Sequence, residues 1–272
     1  MVRMQIGVYG SGYLGTVVSA CLADFGSPVS CCHEDSSRMV EMSQGKVPFH
    51  EKNLADMIRR NVRSGRLSYS TDIDAFARKA QIIFLAEDAN DHLASLCKRI
   101  AAASQRAPIL VVMTPGLVGA SSALEASLKE AGLKATLVTQ PTFFTAGCAV
   151  EDFNWPDRIV FGTSSSEAVL ALKQVFHPLV MRGVPVIVTN HETVELLRVA
   201  STAFLATKIS FINEIANLCE RVNADAINLS LALGLDKKIA PHACSQGRAW
   251  AAFSLRPIWT RLENWRPITV LS

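Results

Sequence analysis

One glycine-rich turn near the N-terminus constrains the fold of this chain more than any other stretch. An apolar run over residues 4–9 predicts a buried strand, and helical spacing of apolar residues begins near Tyr13. Gly10, Gly12 and Gly15 follow that strand in the spacing G-x-G-x-x-G. This spacing gives a tight turn, a close backbone approach to a pyrophosphate and close packing of helix on strand.

The turn predicts a dinucleotide-binding βα unit in which the three glycines, with Tyr13 and Leu14, contact the cofactor. The N-terminus of the helix would then supply unpaired N–H groups and a partial positive charge to the phosphates. A second apolar strand over residues 28–32 supports this interpretation. The alternative is a glycine-rich turn of an α/β protein that binds no nucleotide.

The end of the second strand is where a dinucleotide site usually has an acid that binds the adenosine ribose, about 20 residues after the glycines. His33 occupies the first position at which this acid is expected, and Asp35 follows two residues later. Arg38 is a candidate for a phosphate contact, although an arginine exposed on a helix is the commoner case. The ribose end of the predicted site therefore departs from the usual pattern.

The composition excludes several classes of protein. At 272 residues, with 49% hydrophobic and 19% charged residues, the chain can form one large domain and a smaller one. A net charge of +3 without a basic run gives no support for nucleic-acid binding. No apolar run is long enough for a membrane span, and no signal peptide is expected. The seven cysteines are odd in number and follow no metal-binding spacing, so we expect a reduced, cytoplasmic protein without a metal site.

Apolar runs and helical stretches alternate along the first 190 residues. Strands are expected over residues 67–70, 81–86, 108–113, 135–140, 158–163 and 185–189, and helices over 54–62, 91–104, 121–131 and 167–180. Repeated βαβ units form parallel sheets, and strands that are apolar throughout are covered on both faces. We predict an α/β domain of residues 1–190 with a doubly wound parallel sheet.

The character of the sequence changes at Thr193. Residues 193–222 contain no Gly or Pro and have apolar residues on more than one face, which predicts one helix of about 45 Å. One small layer cannot cover such a helix, so we expect it to pack on a second copy of the chain in a homodimer. A second helix over 224–233 is expected to end at Gly234. Residues 191–243 are the predicted helical dimerisation region.

Several longer motifs follow the glycine turn. They are Gly45-Lys-Val-Pro48 with Glu51, Pro156-Asp-Arg-Ile-Val160, and Phe204-Leu-Ala-Thr-Lys-Ile-Ser-Phe-Ile-Asn-Glu214 followed by Asn217 and Cys219-Glu220. In this order, across residues 3–243, they resemble the UDP-glucose/GDP-mannose dehydrogenase family. The resemblance implies a Rossmann domain with NAD as cofactor, a helical dimerisation region, and then a second α/β domain that helps to bind a nucleotide sugar.

The resemblance also implies a reaction. Members of the family oxidise the C6 alcohol of the sugar to a carboxylate with two NAD⁺, for the synthesis of polysaccharide precursors. A cysteine in a Gly-Gly-Ser-Cys-Phe-Pro-Lys-Asp stretch holds the aldehyde as a thiohemiacetal and then as a thioester that water cleaves. A lysine and an asparagine one helical turn apart stabilise oxyanion charge, and a glutamate serves in proton transfer and hydrolysis.

The positions that match these catalytic residues differ in this chain. The family's Asn-Pro-Glu-Phe-Leu-Arg-Glu reads Gln140-Pro-Thr-Phe-Phe-Thr-Ala146, so Thr142 and Ala146 replace both acids. Arg198 and Thr202 replace the lysine and the asparagine. No cysteine stands in a Gly-Gly-x-Cys context, and Cys244 is the nearest in sequence. We therefore expect no catalytic residue of the family to be intact.

The cofactor loops differ as well. His33 replaces the ribose acid, and Glu87-Asp-Ala-Asn90 replaces the usual Val-Gly-Thr-Pro loop. Two acids beside a pyrophosphate are electrostatically unfavourable, so NAD binding is expected to be weak or lost. Thr114 occupies the position of the threonine in the family's Ser-Thr-Val-Pro loop and is a candidate contact.

Residues 244–272 form an atypical tail. From Ser245 onward the chain has three of its four tryptophans, four arginines and one acid, where the family has a glycine-rich turn. A coding sequence read one base earlier, with synonymous codons chosen freely, can yield a glycine-rich run and an aspartate of the family's kind. We expect that a frameshift ended the chain early and that the C-terminal nucleotide-sugar domain is absent. A short natural C-terminus that packs its tryptophans on the helices is the alternative.

Two functions are compatible with these observations. The first is the NAD-dependent nucleotide-sugar 6-dehydrogenase that the resemblance implies. The second is a non-catalytic member that binds a dinucleotide or dimerises, and that regulates an active relative. The joint loss of the nucleophile, the acids, the lysine and the ribose acid favours the second function for the activity of this chain itself.

Overall fold

The computed structural model describes residues 4–87, 91–114 and 116–236. The chain divides after Ala200 into two compact units, each of which is described by itself. The tail predicted over residues 244–272, the candidate frameshift within it and the acid at Asp88 all lie outside the described residues.

An eight-stranded sheet forms the centre of the first unit. Its strands are β1 (Ile6–Tyr9), β2 (Val29–Cys32), β3 (Leu67–Ser70), β4 (Ile82–Leu85), β5 (Ile109–Val112), β6 (Thr136–Thr139), β7 (Ile159–Gly162) and β8 (Val186–Thr189). The helices between them are α1 (Tyr13–Asp24), α2 (Ser36–Ser43), α3 (Leu54–Arg63), α4 (Ile73–Lys79), α5 (Asp91–Ala103), α6 (Ala120–Glu130), α7 (Ala149–Asn154), α8 (Ser166–Val175) and α9 (His177–Met181).

The strand order is β3-β2-β1-β4-β5-β6-β7-β8, so the direction of winding reverses between β1 and β4. Tyr9 at the end of β1 is in register with Cys32 of β2 on one side and Leu85 of β4 on the other. The carboxyl ends of these three strands therefore meet at the reversal point, which is where open α/β sheets bind their ligands. The predicted doubly wound α/β fold is confirmed.

One strand pair departs from the predicted parallel arrangement. β6 and β7 pair antiparallel through Thr139 and Gly162, while β7 and β8 are parallel to each other. Because β7 starts at the end of the sheet where β6 stops, residues 140–158 connect the two strands without crossing the sheet, and the short α7 is the only helix described in this connection. A parallel β7 would have required a crossover connection back to the end of the sheet where β6 begins.

Apolar side chains fill the layers on both faces of the sheet. One buried cluster contains Val8, Phe84 and Phe161, and another contains Tyr9, Ile83 and Leu85, so alternate residues of one strand enter different clusters. This alternation follows from the two-residue period of a strand. It explains why β1, β4 and β7 are apolar at almost every position.

The helices predicted over 167–180 and 224–233 differ from those of the structure. The helix expected over 167–180 is two helices, because Pro178 has no N–H to continue the ladder of α8 and instead lies in the first turn of α9. The last described helix, α11 (Ala226–Leu235), begins after Asp225, whose carboxylate accepts hydrogen bonds from two backbone N–H groups. It continues through Gly234, where the prediction ended it.

The long predicted helix is present as α10 (His191–Val222). It begins two residues earlier than expected, because Asn190 Oδ1 accepts a hydrogen bond from the backbone N–H of Thr193. None of the described helices is long and apolar enough to cross a membrane.

Candidate functional site

The glycine turn after β1 is held by backbone contacts that leave no room for side chains at two positions. Gly10 donates its N–H to the carbonyl oxygen of Cys32 at 3.0 Å and has φ of +143°. A Cβ on Gly10 would lie 2.8 Å from the carbonyl oxygen of Ala86, and one on Gly15 would lie 2.3 Å from the carbonyl oxygen of Gly10. The sequence needs glycine at both positions so that α1 can approach β1.

Gly12 differs from the other two glycines, because a Cβ there would meet nothing within 4 Å. It is the N-cap of α1, and this helix has neither a side-chain cap nor an acid in its first turn. Some other helices are capped by the side chain of their own N-cap residue, for example α2 by Asp35 and α8 by Ser165, whereas α3, α7 and α9 also lack such a cap. The start of α1 therefore combines the lack of a side-chain cap with open space beside Gly12, which suits the pyrophosphate of a dinucleotide.

His33 lies directly after β2, and its ring is oriented by the backbone. Nδ1 accepts a hydrogen bond from the N–H of Asp35 at 3.1 Å, so the neutral ring has its proton on Nε2. Nε2 lies 3.7 Å from Oε1 of Glu87. The ring also packs at a tilt on Tyr9, with 5.7 Å between centroids. The predicted ribose position is thus occupied by a half-buried imidazole at the reversal point.

Glu87 follows β4 and stands beside the glycine turn. Its Oε1 would lie 3.1 Å from a Cβ on Gly10, and its carbonyl oxygen accepts a hydrogen bond from the hydroxyl of Thr114. Burial, and after it the charges of Glu34 and Glu87, raise the pKa of the nearby Tyr9 to about 12. The acid that the sequence predicted near the pyrophosphate therefore lies beside the glycine turn.

Asp35 and Arg38, the candidates for ribose and phosphate binding, both make hydrogen bonds within the protein. Asp35 caps α2, since its Oδ1 accepts hydrogen bonds from the N–H of Arg38 at 3.0 Å and from the hydroxyl of Ser37 at 2.7 Å. These hydrogen bonds, the Arg38 N–H first, lower the pKa of Asp35. Arg38 donates from Nε to the carbonyl oxygen of Ser11 at 3.4 Å, which places its guanidinium against the glycine turn.

Tyr13 connects the start of α1 to two loops. Its hydroxyl donates to Oε1 of the buried Glu51 and accepts a hydrogen bond from the N–H of Gly147 at 3.2 Å. Oε1 of Glu51 also accepts from the N–H of Ala149 at 3.1 Å. Burial and the bond to Glu51 raise the pKa of Tyr13 to about 12. The sequence motif included Glu51 but did not indicate that Tyr13 is its partner. Leu14, the next residue of the turn, packs against the core, as expected for an apolar side chain.

The four positions that replace the family's catalytic residues carry no carboxylate or amine. Thr142 is half-buried and Ala146 is exposed, both in the segment after β6. Arg198 and Thr202 lie on α10 and are exposed. Among the described residues, no group of three or more His, Cys, Asp and Glu side chains is arranged to hold a metal ion. The cofactor-binding and catalytic roles of the residues named from the sequence remain predictions.

Residues 4–180 match the NAD-binding domain of the UDP-glucose/GDP-mannose dehydrogenase family, and residues 192–255 match its central domain. The chain is 35% identical over 250 residues to a UDP-glucose 6-dehydrogenase of Rhizobium meliloti, covering 87% of this chain and 57% of that protein. It is 33% identical to the UDP-glucose 6-dehydrogenase TuaD of Bacillus subtilis, covering 86% of this chain and 53% of that protein.

Solved structures agree with these relatives. A UDP-glucose dehydrogenase from Pyrobaculum islandicum superposes with a TM-score of 0.78 at 28% identity, over 88% of this chain and 58% of that one. A GDP-mannose dehydrogenase from Pseudomonas aeruginosa has the same fold, with a TM-score of 0.77 at 21% identity, over 96% of this chain and 65% of that one. The chain spans a little over half the length of the curated relatives it matches.

The family model over residues 4–180 supports NAD as the cofactor by resemblance, and the glycine turn lies within this stretch at the reversal point of the sheet. The matches follow one another along the chain in the order of the predicted regions. The chain belongs to the UDP-glucose/GDP-mannose dehydrogenase family.

Proposed function

We propose that this protein acts as an NAD-dependent nucleotide-sugar dehydrogenase of the UDP-glucose 6-dehydrogenase type, and that these residues provide its cofactor-binding part. The observation that supports this most directly is the uncapped start of α1 over the open space at Gly12. The proposed substrate is a nucleotide sugar, whose C6 alcohol is oxidised. We also propose the division into a nucleotide-binding domain (1–190), a helical dimerisation region (191–243) and a tail (244–272).

In this proposal the residues of the turn position the cofactor. The backbone of Gly10 and Gly12 and the first N–H groups of α1 would hold the pyrophosphate, with Arg38 beside it. Thr114, after the end of β5, donates its hydroxyl to the carbonyl oxygen of Glu87 and would hold this residue beside the cofactor. When bound, NAD⁺ supplies the hydride acceptor.

A second candidate is a non-catalytic member of the family. It is favoured by the absence of a general base or an oxyanion-stabilising amine at the positions of Thr142, Ala146 and Thr202, while Arg198 keeps only the positive charge. Such a protein would bind the dinucleotide and a partner chain, and it would not turn over sugar. The cofactor site would then serve regulation or assembly.

We propose a homodimer through α10 and α11. In the second unit, large apolar side chains stay exposed, among them Phe204 at 66%, Phe211 at 57% and Ile227 at 72%. Apolar area left in water costs about 25 cal/mol per Å², so a two-fold pairing of these helices would lower the free energy. The six described cysteines are free thiols, which fits the cytoplasmic location that we propose.

The full chain, purified, would be assayed with NAD⁺ and either UDP-glucose or GDP-mannose, following NADH absorbance, and NAD⁺ binding would be measured separately by calorimetry. NADH formation that depends on the sugar supports the dehydrogenase. Binding of NAD⁺ without turnover supports the non-catalytic member. If neither binding nor turnover is detected up to millimolar NAD⁺, both functions are rejected.

A further inference from the structure

The ring of His33 offers a donor at the position where the adenosine ribose is expected. In the usual dinucleotide site, a carboxylate after the second strand accepts hydrogen bonds from the ribose hydroxyls. Here Nδ1 of His33 accepts from the backbone N–H of Asp35, so the remaining ring nitrogen is the donor Nε2–H. A ribose hydroxyl that donates therefore needs an acceptor from another residue.

The two acids that follow His33 in sequence are engaged by other groups. The Asp35 carboxylate accepts two hydrogen bonds at the start of α2. Glu34 lies 3.3 Å from Nη1 of Arg99, whose Nε donates to Asp74 at 3.1 Å. Either carboxylate would have to give up these contacts before it could accept from a ribose hydroxyl.

Glu87 brings a carboxylate to the same position from a different strand. It follows β4, which is separated from β2 by β1, so its side chain must extend over the end of β1 to meet His33. Its Oε1 lies 3.7 Å from Nε2 of His33 and would lie 3.1 Å from a Cβ on Gly10. The missing side chain of Gly10 thus leaves room for this approach. The side chain of Glu87 is 33% exposed, so a ligand can reach its carboxylate.

The distance between the two side chains suits one hydroxyl group. At 3.7 Å, Nε2 of His33 and Oε1 of Glu87 are too far apart for a direct hydrogen bond. A single oxygen atom can nevertheless lie about 2.8 Å from both of them. A hydroxyl there would accept from Nε2–H and donate to the carboxylate. A phosphate in its place would bring negative charge against the carboxylate and would have no proton to donate in its ionised form.

We infer that Glu87 and His33 together bind the 2′-hydroxyl of the adenosine ribose, so that the carboxylate after β4 replaces the acid that is missing after β2 and excludes a 2′-phosphate. The inference rests on the proposed function in one respect, namely that the domain binds a dinucleotide. Hydrogen bonds from the ribose would then offset the repulsion between Glu87 and the pyrophosphate. Arg38 should act alike on NAD⁺ and NADP⁺, because its Nε contacts Ser11 in the glycine turn, beside the pyrophosphate that both contain.

The test is calorimetric titration of the full chain with NAD⁺, NADP⁺ and 2′-deoxy-NAD⁺, in one buffer and without sugar. We expect NAD⁺ to bind about tenfold more tightly than either of the others, because one has a phosphate in place of the hydroxyl and the other lacks it. Glu87→Gln should weaken NAD⁺ about tenfold, because the charged acceptor is lost, and should bring the three dissociation constants within about threefold of one another.

A second variant, His33→Asn, tests the donor. Asparagine keeps an oxygen that can accept from the N–H of Asp35, but it has no donor at the position of Nε2. We expect NAD⁺ binding to weaken by about three- to tenfold. NADP⁺ should remain the weaker ligand, because Glu87 is still present.

Glu125→Gln is the matched control. Glu125 lies on α6, and its side chain is 30% exposed, against 33% for Glu87. Its carboxylate faces Nζ of Lys129 at 3.5 Å, much as that of Glu87 faces Nε2 of His33 at 3.7 Å. The substitution removes the same charge and should leave all three affinities unchanged. Urea unfolding of each variant separates a lost affinity from a lost fold, and the comparison of the three ligands on the wild type requires no substitution.

A wild-type chain that binds NADP⁺ or 2′-deoxy-NAD⁺ as tightly as NAD⁺ overturns this inference and leaves the proposed function standing. A Glu87→Gln variant that binds NAD⁺ equally well or more tightly also overturns it, since the carboxylate would then contribute no net attraction to the ribose. If none of the three ligands binds to the wild type, the inference and the proposed function fail together.

Discussion

The buried carboxylate of Glu195 accepts a hydrogen bond of 2.8 Å from the backbone N–H of Ser121, in the first turn of α6. Its second oxygen accepts from the N–H of Gly119 at 2.6 Å. The start of α10 is thereby joined to the start of α6 across 74 residues of sequence. The negative charge also lies at the N-terminal end of the α6 dipole, where it is stabilised.

Replacing Glu195 tests this connection. We expect Glu195→Ala to lower the free energy of unfolding by about 2–4 kcal/mol, because two buried N–H groups lose a charged acceptor. Glu195→Gln should lie between wild type and alanine, since one acceptor remains. Urea unfolding measures the difference, with Glu125→Ala as the control, because the Glu125–Lys129 pair is a surface contact of little energy. Equal effects of the two alanine variants would contradict the prediction.

The glycine turn gives a contrast between two alanine substitutions. Gly15→Ala should destabilise or prevent folding, because its Cβ would lie 2.3 Å from the carbonyl oxygen of Gly10. Gly12→Ala meets open space, so its free energy of unfolding should change by less than about 1 kcal/mol. It should nevertheless weaken NAD⁺ binding about tenfold, because a methyl group would occupy the place of the phosphate.

Thermal unfolding and NAD⁺ titration of Gly12→Ala separate the two effects. A variant that unfolds like the wild type and binds NAD⁺ equally well would show that the space over Gly12 is not the phosphate site.

Two half-buried tyrosines predict opposite effects of removing a hydroxyl. The hydroxyl of Tyr13 donates to buried Glu51, whereas that of Tyr69 is buried without a partner in the described structure. Tyr13→Phe should lower the free energy of unfolding by about 1–2 kcal/mol, because Glu51 loses a donor. Tyr69→Phe should be neutral or stabilising, because it removes an unsatisfied polar group. Urea unfolding of both variants measures these changes. A larger loss of unfolding free energy for Tyr69→Phe than for Tyr13→Phe would contradict the prediction.

The buried thiols predict that stability falls at alkaline pH. Burial raises the pKa of Cys31 and of Cys97 from the ordinary value of 9.0 to about 12. The folded state then holds protons that the unfolded state releases, so this contribution is complete below pH 9 and is lost between pH 9 and about 12. The loss is at most about 1.4 kcal/mol per pH unit for each thiol.

Urea unfolding at pH 8, 9 and 10 measures this slope. Cys97→Ala removes one titrating thiol, so its free energy of unfolding should decline less steeply above pH 9 than that of the wild type. Identical slopes would indicate that Cys97 does not contribute to the alkaline loss.

The proposed dimer predicts which surface substitutions change the molecular mass in solution. Phe204→Glu combined with Phe211→Glu places two charges on the apolar face of α10 and should shift the particle from dimer to monomer in light scattering. Leu170→Glu on α8 is the control, because Leu170 is equally exposed, at 63%, and lies on a helix of the first unit. A wild-type chain that stays monomeric at micromolar concentration would rule out the dimer.

The sequence predicted the order of strands and helices well, for reasons that are local. β3 has the expected bounds, Leu67–Ser70, because the alternating Leu67 and Tyr69 are bounded by turn residues on both sides. Glycines 10, 12 and 15 placed the turn correctly, since their spacing is dictated by backbone geometry. The direction of β7 escaped prediction, because a strand reads the same whether its neighbour is parallel or antiparallel.

At the candidate site, the sequence identified residues that could bind the cofactor, but it did not show which partners they contact. Asp35 was a candidate for ribose binding, and only the structure shows that its carboxylate caps the N-terminus of α2. Arg38 was a candidate phosphate contact, with an exposed arginine on a helix as the commoner case, and the structure brings its Nε to 3.4 Å from the carbonyl oxygen of Ser11. Each outcome depended on a hydrogen bond whose partner the residue pattern did not specify.

By itself, the sequence determined the α/β alternation, the glycine turn and the long helix without Gly or Pro, because steric preferences and apolar periodicity act within a few residues of each other. The tertiary structure decided the rest. It brought His33 to within 3.7 Å of Glu87, and it buried Glu195 against the start of α6. Such pairs join elements that are distant in the chain, so their formation depends on how strands pair and helices pack, which no local pattern contains.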